Sequence, residues 1–259
     1  MSLPLTVSRA SIRGHSHTFI LLHDRGGSGQ QMDSTFDSGC NNTGNNHLRD
    51  TYPNFRWVFP SAKGKEKQWF DCGTATASDN APALRDNVGH ILRILKVEAG
   101  RLQGQDDRII LAGIGHGAVL AAHVLLVLAI PPESLKDDGV RRNKLGAFIA
   151  LSSSEMPSPG EGADKVRHLL GYPEEVDYEM VRGTPMLLQN CGEQDAASVD
   201  ALRDLLCGAG ARSITERYLA EGNEVLSRES MENMVQFLNR EVRWTPEAVF
   251  QHGRLGSLV

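Results

Sequence analysis

The sequence predicts an α/β fold with a mostly parallel, doubly wound sheet flanked by helices. Three observations carry that prediction. Short apolar runs of strand length alternate along the chain with longer runs of helical period, the pattern of a sheet covered on both faces. A glycine-rich turn at 113–117 joins a β-branched run to an almost wholly apolar helical one. No internal repeat or composition break marks a boundary, so residues 1–259 are expected to form one domain.

Strand-like runs lie at 18–22, 56–59, 109–112, 147–151, 186–189 and 213–219. Between them, 81–101 has apolar residues at helical spacing (Leu84, Val88, Ile91, Leu92, Leu95, Val97), and 118–130, 197–207 and 229–242 also read as helices. Loops are expected at 34–46, rich in Gly, Asn and Ser, at 131–144, charged and bounded by prolines, and at 157–183, with a short helix at 165–170. Loops leaving the carboxyl ends of strands build the sites of open α/β sheets, so these excursions are expected to shape a rim or lid. The tail from Trp244 to Val259 carries few structure signals and is expected to pack loosely.

Composition excludes several classes. Hydrophobic residues make up 40% and charged residues 23% of the chain, an ordinary globular balance. A net charge of −5 offers no electrostatic footprint for nucleic acid. The cluster Lys63-Gly64-Lys65-Glu66-Lys67 is short and mixed with acid, as in a solvated loop. Cys40, Cys72, Cys191 and Cys207 show neither C-x-x-C pairing nor metal spacing, which implies reduced thiols and no metal. No organic cofactor is indicated either. Met1 to Ala10 lacks a basic segment followed by an apolar one, so no signal peptide is expected and the cytoplasm is the expected address. The apolar run 118–130 contains His123 and stops at Pro131-Pro132, short of the ~20 residues a membrane span needs.

The turn itself reads Gly113-Ile114-Gly115-His116-Gly117, preceded by Arg108-Ile109-Ile110-Leu111-Ala112. Strand, tight glycine turn and buried helix together resemble a nucleophile elbow, with glycine where a serine nucleophile should stand. A dinucleotide loop is the competing reading, but the third glycine is replaced by Ala118, and the acidic residue expected downstream is Glu133 in a Pro-Pro loop.

Further motifs, in order from about Thr18 to Arg240, resemble the acyl-protein thioesterase and carboxylesterase (phospholipase/carboxylesterase) branch of the α/β-hydrolase fold, especially its fungal members. Thr18-Phe19-Ile20-Leu21-Leu22-His23-Asp24-Arg25-Gly26-Gly27-Ser28-Gly29 is similar to the family's strand, His-Gly turn and glycine-rich loop, with Asp24 in place of the usual glycine. Phe55-Arg56-Trp57-Val58-Phe59-Pro60-Ser61-Ala62, followed by Gln68-Trp69-Phe70-Asp71, is similar to its F-P-x-A and W-F-D segments beside the acyl pocket. The strand ending in Leu151-Ser152 also matches, and Thr184 to Asp195 matches the strand and turn that place the triad acid at Asp195. The family's histidine position falls at Asn223.

The resemblance thus implies a degenerate triad of Gly115, Asp195 and Asn223, with oxyanion donors at the backbone amides of Arg25 and His116 and a ligand-binding surface at Gly26, Trp69, Phe70 and Asp71. Glycine supplies no nucleophile, and an Asn amide neither gains nor releases a proton near neutral pH, so an acyl-enzyme on residue 115 is excluded. The candidate catalytic side chains are then Asp195, His116 and Asp24, as bases toward water or toward a proton next to a carbonyl, chemistry that suits an isomerase, dehydratase or cyclase. His23 is expected to brace the loop. Cys72, Cys191 and Ser152 to Ser154 are weaker candidates, since no base accompanies them in sequence. The expected function is to bind a small acyl, ester or carbonyl compound non-hydrolytically or as a pseudoenzyme. The alternatives are a weak esterase or thioesterase using activated water, and a non-enzymatic interaction scaffold, for which a homodimer is expected.

Overall fold

The computed structural model describes residues 6–12, 14–38, 47–63, 66–71, 77–128, 144–157, 160–173, 176–191, 196–220 and 225–242. Seven strands form one sheet: β1 Thr6–Arg9, β2 His17–Leu22, β3 Phe55–Pro60, β4 Ile109–Ile114, β5 Ala147–Leu151, β6 Met186–Cys191 and β7 Ile214–Leu219. Their order is β1-β3-β2-β4-β5-β6-β7, with β1 antiparallel to β3 and every other pair parallel. Eight α-helices accompany them among the described residues: α1 Gly29–Ser38, α2 His47–Thr51, α3 Ala77–Arg101, α4 His116–Leu128, α5 Ala163–Leu169, α6 Glu179–Gly183, α7 Ala196–Gly208 and α8 Arg228–Glu241.

Strand side chains alternate between two cores, as a two-sided sheet requires. Ile20, Leu22, Val58, Leu111, Phe148 and Leu188 pack with α3, α4, α5 and α7, whereas Phe19, Leu21, Trp57, Ile110, Ile149 and Leu187 pack on the face covered by α8 and the α2 segment. Helix α4 is buried from His116 through Val127, which is why its sequence is apolar all round rather than amphipathic. His123 survives in that interior with its Nδ1–H donating to Val119 O at 2.7 Å, while burial depresses its pKa and keeps the ring neutral. No helix among the described residues is long and apolar enough to cross a membrane.

The six expected strands are all present, each within a few residues of its sequence bounds, and the expected helices appear as α3, α4, α5, α7 and α8. Four elements differ from expectation, among them α2, a single turn just past the loop expected at 34–46. Strand β1 is additional; it is a half-exposed edge strand with no apolar run to betray it. Helix α1 covers the first part of the stretch expected to be a loop at 34–46. It is tied down by charge: Asp33 is buried and takes both Arg9 Nε and Nη2 at 2.7 Å and Arg49 Nη2 at 3.1 Å. Hydrophobic periodicity cannot register such an anchor. Helix α6 lies at the end of the excursion expected at 157–183, with the Thr184 hydroxyl donating to Met180 O at 2.7 Å where the turn stops. The loop at 131–143 and the tail from 244 lie outside the described residues.

A polar cluster sits at the amino ends of β2 and β3. Glu98 of α3 is buried against Arg56 Nε at 3.0 Å and Arg101 Nε at 3.4 Å, and it accepts the Thr18 hydroxyl at 3.3 Å. On the other face of the sheet, His17 packs on Phe55 with ring centroids 4.8 Å apart, and its pKa is lowered to about 4 by burial, then by the charges of Arg108 and His15. His15 is lowered as well, by burial first. Both rings are favoured neutral in the fold, so their contribution is complete above the unfolded value near 6.5 and is lost as pH falls toward 4. We expect the melting temperature to drop steeply between pH 6.5 and pH 4, with His17 accounting for on the order of 2 kcal/mol after screening. His17→Phe should flatten that slope; an unchanged pH profile in the variant would contradict the assignment.

Candidate active-site elbow

Strand β4 passes into α4 through Gly115, which has φ +53°, a left-handed conformation natural to glycine. Its N–H donates to Leu151 O of β5 at 3.0 Å, and its carbonyl receives Ala118 N–H at 3.1 Å. The flanking glycines are required by contact: a Cβ on Gly117 would stand 2.4 Å from Leu22 O, and one on Gly113 2.2 Å from the Gly117 backbone. The turn therefore brings the start of α4 against the carboxyl end of β2, where the next loop begins.

That loop is fixed by His23. Ala62 N–H donates to His23 Nε2 at 3.1 Å, which places the ring proton on Nδ1, and Nδ1–H donates to Asp24 O at 2.6 Å. The ring stacks on Trp69 at 4.6 Å, and Trp69 Nε1–H returns a hydrogen bond to His23 O at 2.7 Å. Burial lowers the His23 pKa, opposed by the hydrogen bond to Asp24 O and by the Asp24 charge. Gly27 N–H donates to Asp24 O at 3.0 Å, and Gly26, at φ +76°, donates to Lys67 O at 3.1 Å. The backbone of residues 23–27 is thus held on both sides while the Asp24 side chain stays exposed.

The Asp24 carboxylate turns toward the elbow. Its Oδ1 accepts Arg25 N–H at 2.7 Å and His116 N–H at 2.9 Å, so the two amides expected as oxyanion donors converge on one oxygen, and that oxygen belongs to the chain itself. A Cβ built on Gly115 would lie 2.1 Å from Asp24 Oδ1 and 2.8 Å from Oδ2. The carboxylate stands in the space where a side chain at 115 would begin. The His116 ring lies flat on Phe70 at 4.4 Å and 5°; burial lowers its pKa, with Asp24 raising and Arg25 lowering it.

Other expected site residues are placed as follows. Trp69 and Phe70 are both fully buried, Trp69 bracing the loop and Phe70 carrying the His116 ring. Asp71 is exposed, its N–H donating to Asn80 Oδ1 at 2.9 Å. Asp195, Asn223 and Cys72 lie outside the described residues. Cys191 ends β6, half-buried. Ser152 lies beside Gly115 with φ +45°, its N–H donating to Gln189 O at 2.7 Å and its hydroxyl buried without a hydrogen-bond partner. A cavity of about 820 Å³ opens between α5 and α7, lined by residues such as Met156, Asp164, Tyr178, Asp200 and Leu205 and by none of the elbow residues. No group of three or more His, Cys, Asp or Glu side chains gathers as a metal site among the described residues. What the sequence reading missed is that Asp24 and Gly115 meet. The signal was two departures from the expected motifs, Asp24 where the resemblance expects a glycine and Gly115 where it expects a serine.

If the two departures are one interaction, Gly115→Ala must either push Asp24 off its amides or strain the turn. We expect a cost of about 2–3 kcal/mol in urea unfolding, falling to about 1 kcal/mol, the left-handed penalty alone, in an Asp24→Gly background. Additive effects in that double-mutant cycle would show that the two positions do not interact.

No protein-family model matches the sequence, and no curated protein matches it. Solved structures do. Acyl-protein thioesterase 2 of Zea mays is 17% identical with a TM-score of 0.60, the match covering 91% of this chain and 98% of that one. The carboxylesterase of Bacillus cereus is 14% identical with a TM-score of 0.60, covering 91% and 93%. The phospholipase/carboxylesterase of Dyadobacter fermentans is 14% identical with a TM-score of 0.60, covering 90% and 95%. Over nearly its whole length, then, this chain has the α/β-hydrolase fold of esterase and thioesterase structures.

Proposed function

We propose that the chain is a non-hydrolytic form of its fold, which holds a small acyl, ester or carbonyl compound at the elbow without forming an acyl-enzyme. The observation that carries this reading is the Asp24 carboxylate seated on Arg25 N–H and His116 N–H over a glycine elbow. The resemblance puts Gly115, Asp195 and Asn223 where the nucleophile, acid and base would stand, and two of these three have no catalytic chemistry. The similar structures are of an esterase, a thioesterase and a phospholipase/carboxylesterase, which supports an acyl or ester compound as the ligand class.

Magnitudes favour silence over residual hydrolysis. Serine hydrolases stripped of triad members keep roughly 10³ to 10⁴-fold acceleration because the oxyanion hole still works. Here its two donors are taken by a carboxylate. A tetrahedral oxyanion arriving within about 3 Å of that charge would be opposed by up to about 5 kcal/mol at an effective dielectric of ~20, less where water screens the exposed side chain. A second reading rests on His116: its lowered pKa leaves the ring neutral near pH 7 and able to accept a proton from water, which is what a slow esterase needs.

Initial rates on a short-chain aryl ester and an acyl thioester separate the two. The native protein should match the buffer blank, and Gly115→Ser/Asn223→His should stay slow, because the new side chain and the Asp24 carboxylate compete for one space over the donors. Adding Asp24→Gly to that pair should release hydrolysis by at least about 10²-fold, the usual worth of an oxyanion-hole donor. Native turnover that Asp195→Ala or His116→Phe abolishes would establish the slow esterase instead.

A further inference from the structure

We infer that Arg25 N–H and His116 N–H form a carboxylate-binding site whose resident occupant is the Asp24 side chain, and that a free monocarboxylate is the ligand class that exchanges with it. The inference rests on the elbow being a ligand site, as proposed above, and adds what it binds and what shuts it.

Three features make the occupant exchangeable. Asp24 is exposed, so its side chain can rotate into water without leaving a cavity in the core. Its backbone is held separately, with Asp24 O accepting from His23 Nδ1–H at 2.6 Å and Gly27 N–H at 3.0 Å, so the amides remain aimed at the same point after the carboxylate has left. The absent side chain at Gly115 leaves the vacated volume to the incoming group, since a Cβ there would lie 2.3 Å from the present Cγ position. The chemistry of the donors selects the ligand. Both amides meet a single oxygen, at 2.7 and 2.9 Å, which suits one arm of a planar carboxylate and leaves its other oxygen to solvent. Among the described residues, the charged and titratable groups around that point are Asp24 itself, the exposed Arg25, Lys67 and the rings of His23 and His116. Once Asp24 has swung away, the fixed charges that remain among these described groups are the cations Arg25 and Lys67.

Intramolecular tethering gives Asp24 an effective concentration of millimolar or more, so it competes with any free acid. Asp24 is accordingly a stopper, and the affinity of the site for an outside carboxylate is set by how firmly residue 24 holds the amides. Substituting Asp24→Gly removes the competitor, whereas Asp24→Asn keeps an acceptor oxygen without the charge.

Calorimetric titration with butyrate tests this, with butanol and inorganic phosphate as controls, on the native protein and the two variants, each checked by its melting transition. Butyrate should bind Asp24→Gly roughly tenfold or more tightly than it binds the native chain, with Asp24→Asn between them, and butanol and phosphate should bind none of the three measurably. Equal butyrate affinity in folded native, Asp24→Gly and Asp24→Asn proteins would overturn the proposal, as would no binding to either folded variant. Butanol binding as tightly as butyrate would assign an apolar site instead. Because no turnover is measured, this result is independent of the hydrolysis assay: native esterase activity would defeat the non-hydrolytic reading and leave the carboxylate order standing or falling by itself.

Discussion

The arrangement of the elbow depends on one contact, the Asp24 carboxylate over Gly115. A carboxylate cannot share that volume with a side chain on residue 115, because the first carbon of any such side chain would fall 2.1 Å from Oδ1. The carboxylate stays because two backbone amides from different segments aim at it. Those amides are aimed by the rest of the fold. The parallel register that sets Leu22 against Gly113 and Ile114 against Leu151 brings the loop after β2 and the start of α4 to the same edge of the sheet. Glycines at 113 and 117 then let α4 approach closely enough for the contact to close.

At this elbow the space over residue 115 and both amides are occupied by Asp24, so positions 24 and 115 form a single unit that must change together. His23 and Trp69 show the same economy of parts. His23 braces the loop as its sequence position suggests, and Trp69 joins it, through a stacked pair at 4.6 Å and hydrogen bonds on both sides of the imidazole.

Most of the fold was legible because it is written in apolar periodicity. Fully buried strands such as β4 and β5 leave continuous apolar runs, and α4 leaves a helix-length one. What escaped was written in charge or in a single turn: β1 as a half-exposed edge, α1 anchored through Asp33 and two arginines, α6 as one turn closed by Thr184. The site was legible in part. The elbow, the donor amides and the placement of His23 could be named from motif order, whereas the meeting of Asp24 with Gly115 could not. It joins residues 91 positions apart through a loop rotamer that no local pattern encodes.

The most direct test follows the backbone amide resonances of Arg25 and His116 through an acid titration of the native protein and of Asp24→Asn. If one carboxylate oxygen bridges both amides, their proton shifts move together, with a single common midpoint, and the shared transition vanishes in the variant. Two amides that titrate independently, or a common transition that persists without the Asp24 carboxylate, would contradict the account.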